Sequence, residues 1–219
     1  MTRVDDIIAA LQALGDRSVV EGRSHYAIRA TVSFGVSLPK IRELAKIVGR
    51  DQSLAEQLWA TEIHEARLLA SLVGDPKVIS ANTMDGWVGD FESWDVCDAC
   101  TSNLFDRTPF AWQKLGQWAA GEGEFVRRAA FATLAALAAH NKKAPDSQFL
   151  DTLPLIERYA FDDRNFVKKA VSWALRAIGK RNAGLREAAI ASAGRIQLQD
   201  SRAARWIASD VLRELTARA

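Results

Sequence analysis

The sequence is poor in cysteine and histidine, which restricts the metal and redox chemistry that it can support. Its 219 residues contain two cysteines, Cys97 and Cys100, and three histidines, His25, His64 and His140. A Cys-x-x-Cys pair can form a redox centre, but that chemistry needs a strand-to-helix context, and none is visible. A zinc site needs two further ligands at a suitable spacing, which the scattered histidines do not provide. We therefore interpret both cysteines as core residues on a helix, and we expect no metal and no cofactor.

Long apolar runs are also missing. Hydrophobic residues make up 48% of the chain, yet no run approaches the roughly 18 residues that would predict a membrane span. The segment Met1–Asp6 carries acids where a signal peptide has bases, and no apolar region follows it. This pattern predicts a cytoplasmic protein that does not enter a membrane.

Strand patterns are nearly absent apart from the β-branched stretch Thr31–Ser33, and apolar residues recur with helical spacing almost everywhere. Short linkers favour antiparallel packing of successive helices, and no composition change marks a domain boundary. We predict a single all-α domain over residues 1–219. The predicted helices lie near 3–14, 18–30, 38–49, 52–60, 62–73, 75–89, 92–106, 109–120, 123–140, 147–160, 163–180, 183–195 and 200–217.

Two stretches share one pattern at a separation of 41 residues: Phe-Val-Arg-Arg-Ala at 125–129 and Phe-Val-Lys-Lys-Ala at 166–170. A period near 40 residues is typical of stacked helical pairs of the HEAT kind. Such pairs form a curved solenoid whose concave face holds an elongated partner. The fold does not identify that partner, because HEAT-like arrays serve more often as protein-binding scaffolds than as enzymes.

Charge is distributed unevenly along the chain. Residues 1–120 contain 12 Lys and Arg against 16 Asp and Glu, whereas residues 121–219 contain 17 against 11. A polyanionic partner would therefore approach the C-terminal half. A solvated helix surface rich in Lys and Arg explains the same imbalance, and charge alone favours this second interpretation.

The helix predicted within 166–180 separates an apolar stripe from a cationic one at 100° per residue. The apolar stripe consists of Val167, Val171, Ala174 and Ile178. The opposite arc consists of Lys169, Trp173, Arg176 and Lys180. An indole among cations favours a ligand with both negative charge and apolar surface, and nucleic acid fits this description. The alternative is a local surface patch in which lysine stems cover Trp173.

Two other predicted helices carry candidate functional residues. Within 91–106, Trp94 and Asp98 are spaced i and i+4 and point away from the apolar side. They fit a catalytic pair, or equally a capping acid beside a surface aromatic residue. Within 124–140, Arg128 stands over a row of alanines. That row fits the close approach of a phosphate-bearing partner, or equally a close contact between helices.

Together these residues resemble the AlkD-type DNA alkylation-repair glycosylases, which are all-α proteins of HEAT-like repeats. Three motifs carry the resemblance: Trp94-x-x-x-Asp98, Arg128 in Val-Arg-Arg-Ala-Ala, and Trp173 in Phe-Val-Lys-Lys-Ala-Val-Ser-Trp-Ala-Leu-Arg. The likeness covers most of the chain. It implies a monomeric enzyme that excises N3- and N7-alkylated purines from duplex DNA.

The resemblance also implies a role for each matching residue. Asp98 would be the catalytic carboxylate, Trp94 and Trp173 would flank the deoxyribose of the lesion, and Arg128 would hold a backbone phosphate. The enzyme would work from the backbone side with little or no base flipping, and we expect no deep pocket. We expect further phosphate contacts from a set of basic residues: Lys40, Arg42, Lys168, Lys169, Arg176, Lys180 and Arg181. The competing hypotheses are a catalytically silent module that binds DNA structures and a protein-binding scaffold.

Overall fold

The computed structural model describes residues 3–23, 27–28 and 30–217. Apart from an isolated parallel bridge between Val32 and Ile63, the described residues form helices and loops, so the all-α prediction is confirmed. The helices are α1 (Arg3–Ala13), α2 (Arg17–Arg23), α3 (Leu38–Val48), α4 (Gln52–Trp59), α5 (His64–Val73), α6 (Ala81–Gly89), α7 (Trp94–Asn103), α8 (Ala111–Ala120), α9 (Glu124–His140), α10 (Asp146–Leu150), α11 (Leu153–Tyr159), α12 (Asn165–Gly179), α13 (Ala183–Gln197) and α14 (Arg202–Thr216). A short 3-10 helix (Phe105–Arg107) follows α7.

Three predicted helices are shorter or broken at local signals. The predicted helix 147–160 is split into α10 and α11, because Pro154 lies in the first turn of α11 and has no N–H to continue the helix before it. The predicted helix 75–89 begins only at Ala81, where Ser80 accepts a hydrogen bond from the Thr83 N–H at 3.0 Å. The helix predicted at 18–30 ends at Arg23. Positions 27, 28 and 30 are not helical, and positions 24–26 and 29 lie outside the described residues.

The chain divides into two compact units, Met1–Pro109 and Phe110–Ala219. An aromatic cluster fixes the core of the first unit, where the rings of Trp59 and Trp87 stack with their centres 4.2 Å apart. The Trp59 indole N–H donates to Asp90 at 2.9 Å. Asn103 near the end of α7 donates to Ser71 near the end of α5 at 3.2 Å, and the two helices also contact at their beginnings. α5 and α7 therefore run in the same direction, which fixes the face that α7 presents.

In the second unit, equivalent residues of successive repeats contact each other. The rings of Phe125 and Phe166 lie 5.3 Å apart, and the Phe166 N–H donates to Glu124 at 3.1 Å. Ser172 of α12 donates to Asp210 of α14 at 2.7 Å. These pairs join residues 38 to 42 positions apart, so α9, α12 and α14 form a layer of parallel helices. The predicted repeat is confirmed, while the single domain and the concave face stay predictions.

Candidate functional site

The start of α7 is held by Asp95. The Nε2 atom of His64, which is buried, lies 2.8 Å from one carboxylate oxygen of Asp95, and the Ser93 hydroxyl donates to the other at 2.6 Å. Burial raises the pKa of Asp95, but the hydrogen bonds from His64 and Ser93 outweigh it, so the pKa lies below its ordinary value. Asp95 is thus the acid of the first turn. Asp98 lies in the second turn, where a capping role does not apply.

Trp94 and Asp98 line one cleft of the first unit, which has a volume of about 580 Å³. Ser102 lines the same cleft, so three residues at i+4 spacing present one face of α7 to it. No deep pocket was expected here, and this unit has an open cleft. Further side chains complete the cleft: Leu38, Arg42, Leu68 and Asn103 among them. Ser102 was not predicted from the sequence, although its spacing from Trp94 and Asp98 carries the signal.

A buried carboxylate fixes the loop that forms another wall of the cleft. Glu65 is fully buried and accepts hydrogen bonds from the Gly35 N–H at 2.8 Å, the Phe34 N–H at 3.0 Å and the Ser33 hydroxyl at 3.0 Å. Gly35 has a φ of 80°, a conformation that favours glycine. This loop brings Val36 to the cleft. The role of Glu65 could not be predicted, because most of its partners are backbone N–H groups without a side-chain signature.

The cysteines of α7 face away from the cleft. Cys97 and Cys100 form no disulfide, and both are fully buried. Burial raises the pKa of the Cys100 thiol, and the nearby charge of Arg67 only partly opposes this effect. The prediction that both cysteines are core residues on a helix is confirmed. Among the described residues, no cluster of His, Cys, Asp and Glu is arranged to hold a metal ion.

The structure contradicts the predicted surface role of Arg128. Its side chain is 5% exposed, and its guanidinium donates to the carbonyl oxygen of Phe166 at 2.7 Å. Ala132 and Ala135, in the alanine row beside it, are buried as well. The row therefore serves contacts between helices, which was the second interpretation of the sequence. Arg128 joins α9 to α12 and is not presented to a phosphate.

Arg181 is also bound within the protein. Its guanidinium donates to the carbonyl oxygens of Ala138 at 2.8 Å and Ala144 at 3.2 Å, and it lies 4.2 Å from the ring centre of Phe149. The guanidinium thus satisfies one carbonyl group in the last turn of α9 and one in the loop that follows it. The geometry of Arg181 therefore disfavours the predicted phosphate contact.

The cationic row of α12 is partly neutralised by acids of α14. Arg176 lies 2.5 Å from Glu214 and 3.3 Å from Asp210, and Lys180 forms an ion pair with the same Glu214. Hydrogen bonds from Lys180 and Arg176 lower the pKa of Glu214 to about 2. Arg176 and Lys180 therefore carry less free charge toward a ligand than the sequence predicted.

The remaining predicted residues stay accessible. On α12, Lys169 is exposed and Trp173 is partly exposed, so the indole is not part of the core. In the first unit, Arg42 is exposed and lines the cleft, while the Lys40 ammonium group donates to the Leu14 carbonyl at 3.4 Å. Among the predicted site residues of the first unit, Arg42 therefore lines the same cleft as Trp94 and Asp98, and Lys40 does not.

The sequence profile described as DNA alkylation repair enzyme matches residues 7–215. The chain belongs to that family. The family match covers both units, and it confirms the resemblance drawn from the motifs. Among the described residues, no helix combines the length and the apolar character needed to cross a membrane.

Two solved structures resemble the chain. One comes from work described as "A new family of proteins related to the HEAT-like repeat DNA glycosylases with affinity for branched DNA structures". It has a TM-score of 0.78 and 19% identity, and the match covers 97% of this chain and 95% of that one. The likeness shows the HEAT-like fold. The other is a designed armadillo repeat protein with a TM-score of 0.36 and 19% identity over 80% of this chain and 91% of that one. No curated protein gives a significant match.

Proposed function

We propose that the chain is a DNA glycosylase that hydrolyses the N-glycosidic bond of N3- and N7-alkylated purines in duplex DNA. One observation carries the proposal: in a member of the DNA alkylation repair enzyme family, the carboxylate of Asp98 and the indole of Trp94 line the same cleft one helical turn apart. The helix-start role belongs to Asp95, so helix capping does not account for Asp98.

The chemistry of an alkylated purine suits this pair. Alkylation at N3 or N7 gives the base a positive charge, so the base takes the bonding electrons and leaves as a neutral molecule without a general acid. The positive charge that develops on the sugar is stabilised by the carboxylate of Asp98. The indole face of Trp94 adds cation–π attraction to the same charge. Water then bonds to C1′, and Asp98 orients that water and accepts its proton.

Adducts of many sizes should be tolerated. Contact from the backbone side leaves the modified base outside the protein, so a large group at N3 or N7 does not clash with a pocket wall. Uncharged lesions should react poorly, because an uncharged base is a worse leaving group and the protein offers it no proposed acid. Base flipping can be tested with 2-aminopurine placed next to the lesion. The fluorescence of 2-aminopurine rises when it loses a stacked neighbour. We expect little rise, because the family resemblance implies contact from the backbone side.

The roles that we propose for residues of the second unit rest on the resemblance to the DNA alkylation-repair glycosylases. We propose that Trp173 contacts the deoxyribose as the second indole and that Lys169 contacts a phosphate. Both side chains are accessible on α12. Replacing Trp173 with Ala should lower the rate of excision, and replacing Lys169 with Gln should lower DNA affinity regardless of sequence.

The decisive experiment compares two neutralising substitutions in the first unit. Asp98→Asn keeps the shape of the side chain and removes its charge, so release of 7-methylguanine from methylated duplex DNA should fall by about 10²–10³-fold, or roughly 3–4 kcal/mol. Glu43→Gln removes the same charge from an exposed position of α3 and should release the base as fast as the wild type. Chromatography of the released base gives the rates.

Equal release by Asp98→Asn and the wild type would overturn the assigned role of Asp98. A second function is favoured by the structural relative described above, whose own description names affinity for branched DNA. If this chain binds DNA with strong salt dependence but releases no base, it is a binding module of that kind. Absence of any DNA affinity would leave a protein-binding scaffold.

A further inference from the structure

We infer that the outer face of α14 is a contact surface for the DNA backbone in the second unit. This α14 surface consists of Arg202, Arg205 and Trp206 together with Lys168 of the neighbouring α12. The inference rests on the proposed function only in taking DNA as the partner. It assigns no chemistry to the surface and does not depend on Asp98.

Trp206 marks this surface because it is the most exposed tryptophan in the part of the chain that the structure describes. It is 40% exposed, whereas Trp59, Trp87 and Trp118 are 4% exposed or less. The Lys168 ammonium group lies 4.9 Å from the centre of the Trp206 ring. Cation–π attraction holds the two together, so a positive charge stands directly beside an apolar face. A ligand with alternating anionic and apolar groups fits this pairing.

The arginines extend the charge along the helix. Arg202 and Arg205 are exposed in the first turn of α14, and Arg202 precedes Trp206 by four residues on the same face. Cations are unfavourable at a helix N-terminus, where the helix dipole is already positive. The first turn of α14 contains no acid. A bound phosphate would relieve this repulsion. Asp200 lies 3.5 Å from Arg205 but is fully exposed, so that ion pair is weak.

The acids of α14 lie one and two turns beyond Trp206 on the side that faces α12, and α12 engages both of them. Asp210 and Glu214 are 15% and 24% exposed, and both are turned toward α12. There Asp210 accepts from Ser172, and Glu214 pairs with Arg176 and Lys180. The carboxylates of α14 are thus used between helices, which leaves arginine as the exposed charge at its first turn.

A DNA backbone is the partner that these features fit best. It presents phosphates at regular intervals, and the deoxyribose between them offers an apolar edge to an indole. A small free anion would use the arginines but would gain nothing from Trp206. A protein partner with acidic side chains would use the same arginines, and duplex binding that is unchanged by their replacement would favour it over DNA.

The test measures binding of a fluorescein-labelled, unmodified duplex by anisotropy over a range of salt concentrations. Arg202→Gln and Arg205→Gln should each weaken binding by about tenfold near 0.1 M salt and reduce the slope of log affinity against log salt by about 1. Trp206→Leu keeps an apolar side chain and should weaken binding while leaving the slope near that of the wild type. The matched control is Arg195→Gln, since Arg195 is an exposed arginine of α13 that pairs with Glu157. It should bind like the wild type.

Circular dichroism of each variant verifies folding, and both arginines are exposed, so their replacement leaves the core intact. If the arginine variants bind like the wild type, or if Arg195→Gln weakens binding equally, the α14 surface is not a specific contact and the inference fails. Base release by the wild type is measured in parallel. Release with unaffected binding would remove only this inference, whereas weakened binding without release would remove only the proposed glycosylase function.

Discussion

In the first unit an aspartate faces a cleft, whereas in the second unit the acids lie between helices and hold cations. Asp98 lines the cleft of the first unit next to Trp94. In the second unit, Asp162 and Glu214 are engaged by arginine and lysine side chains. The first arrangement places an acidic residue at a cleft, while the second uses charge to join repeats.

The number of charged residues in a region therefore does not give the charge that is available to a partner. The second unit has the excess of basic residues, yet Arg127 and Arg164 bind Asp162, and Arg181 binds backbone carbonyls. An exposed cation without an adjacent acid is the better guide to a DNA contact. Lys169 and Arg202 are both exposed. The following predictions test this comparison.

The largest effect is expected at Asp162. Its side chain is 4% exposed and lies 2.5 Å from both Arg127 and Arg164. Asp162→Asn would leave the two guanidinium groups without a counter-charge, so the free energy of unfolding should fall by about 3 kcal/mol. The neighbouring Asp163 is exposed, and Asp163→Asn should change the free energy of unfolding by less than about 0.5 kcal/mol. Urea unfolding followed by circular dichroism measures both values. Equal stabilities of the two variants would show that acids between repeats do not hold the second unit together.

A smaller effect with a defined pH dependence is expected at Glu214. Its pKa in the folded protein is about 2, below the ordinary value of 4.5. The ionised form therefore stabilises the fold, fully above pH 4.5 and progressively less as the pH falls toward 2. Glu214→Gln should lower the free energy of unfolding by about 1 kcal/mol at neutral pH. The difference in the free energy of unfolding between variant and wild type, measured by urea unfolding, should shrink as the pH falls. A difference that grows instead would contradict the ion pairs with Arg176 and Lys180.

The smallest effect concerns DNA binding by single cations outside the α14 surface. Lys169→Gln should reduce the slope of log affinity against log salt by about 1, because one phosphate contact is lost. Arg181→Gln should leave that slope unchanged and should lower stability, because its guanidinium is bound to Ala138 and Ala144. Fluorescence anisotropy with a duplex and urea unfolding separate the two roles. A reversed outcome would mean that Arg181 leaves its carbonyl partners to bind DNA.

The sequence predicted the elements whose signal is local. Helical periodicity located most helices, and the recurrence of Phe125 at Phe166 identified a repeat whose copies do contact each other. The i and i+4 spacing of Trp94 and Asp98 correctly placed both on one face of α7, because helical geometry alone decides that relation. The break at Pro154 was also visible in the sequence but was missed.

The sequence could not predict the partners of charged side chains. Arg128 and Arg181 bind carbonyl oxygens 38 and 43 positions away. The acids that neutralise Arg176, Asp210 and Glu214, belong to α14, and Glu214 is 38 positions further along the chain. Such partners depend on how repeats stack, and a helical wheel of one segment does not contain that information. The same limit concealed the cleft, whose walls come from several helices and a loop.

The way Glu65 anchors the loop of residues 33–36 has a consequence for the cleft. The carboxylate engages mainly main-chain amides, which every amino acid except proline supplies. Replacement of Val36 by a residue of another size or polarity would therefore remodel the cleft lining while the loop keeps its course. Chains that retain this glutamate and vary the loop would share one scaffold and differ in the shape and polarity of the cleft.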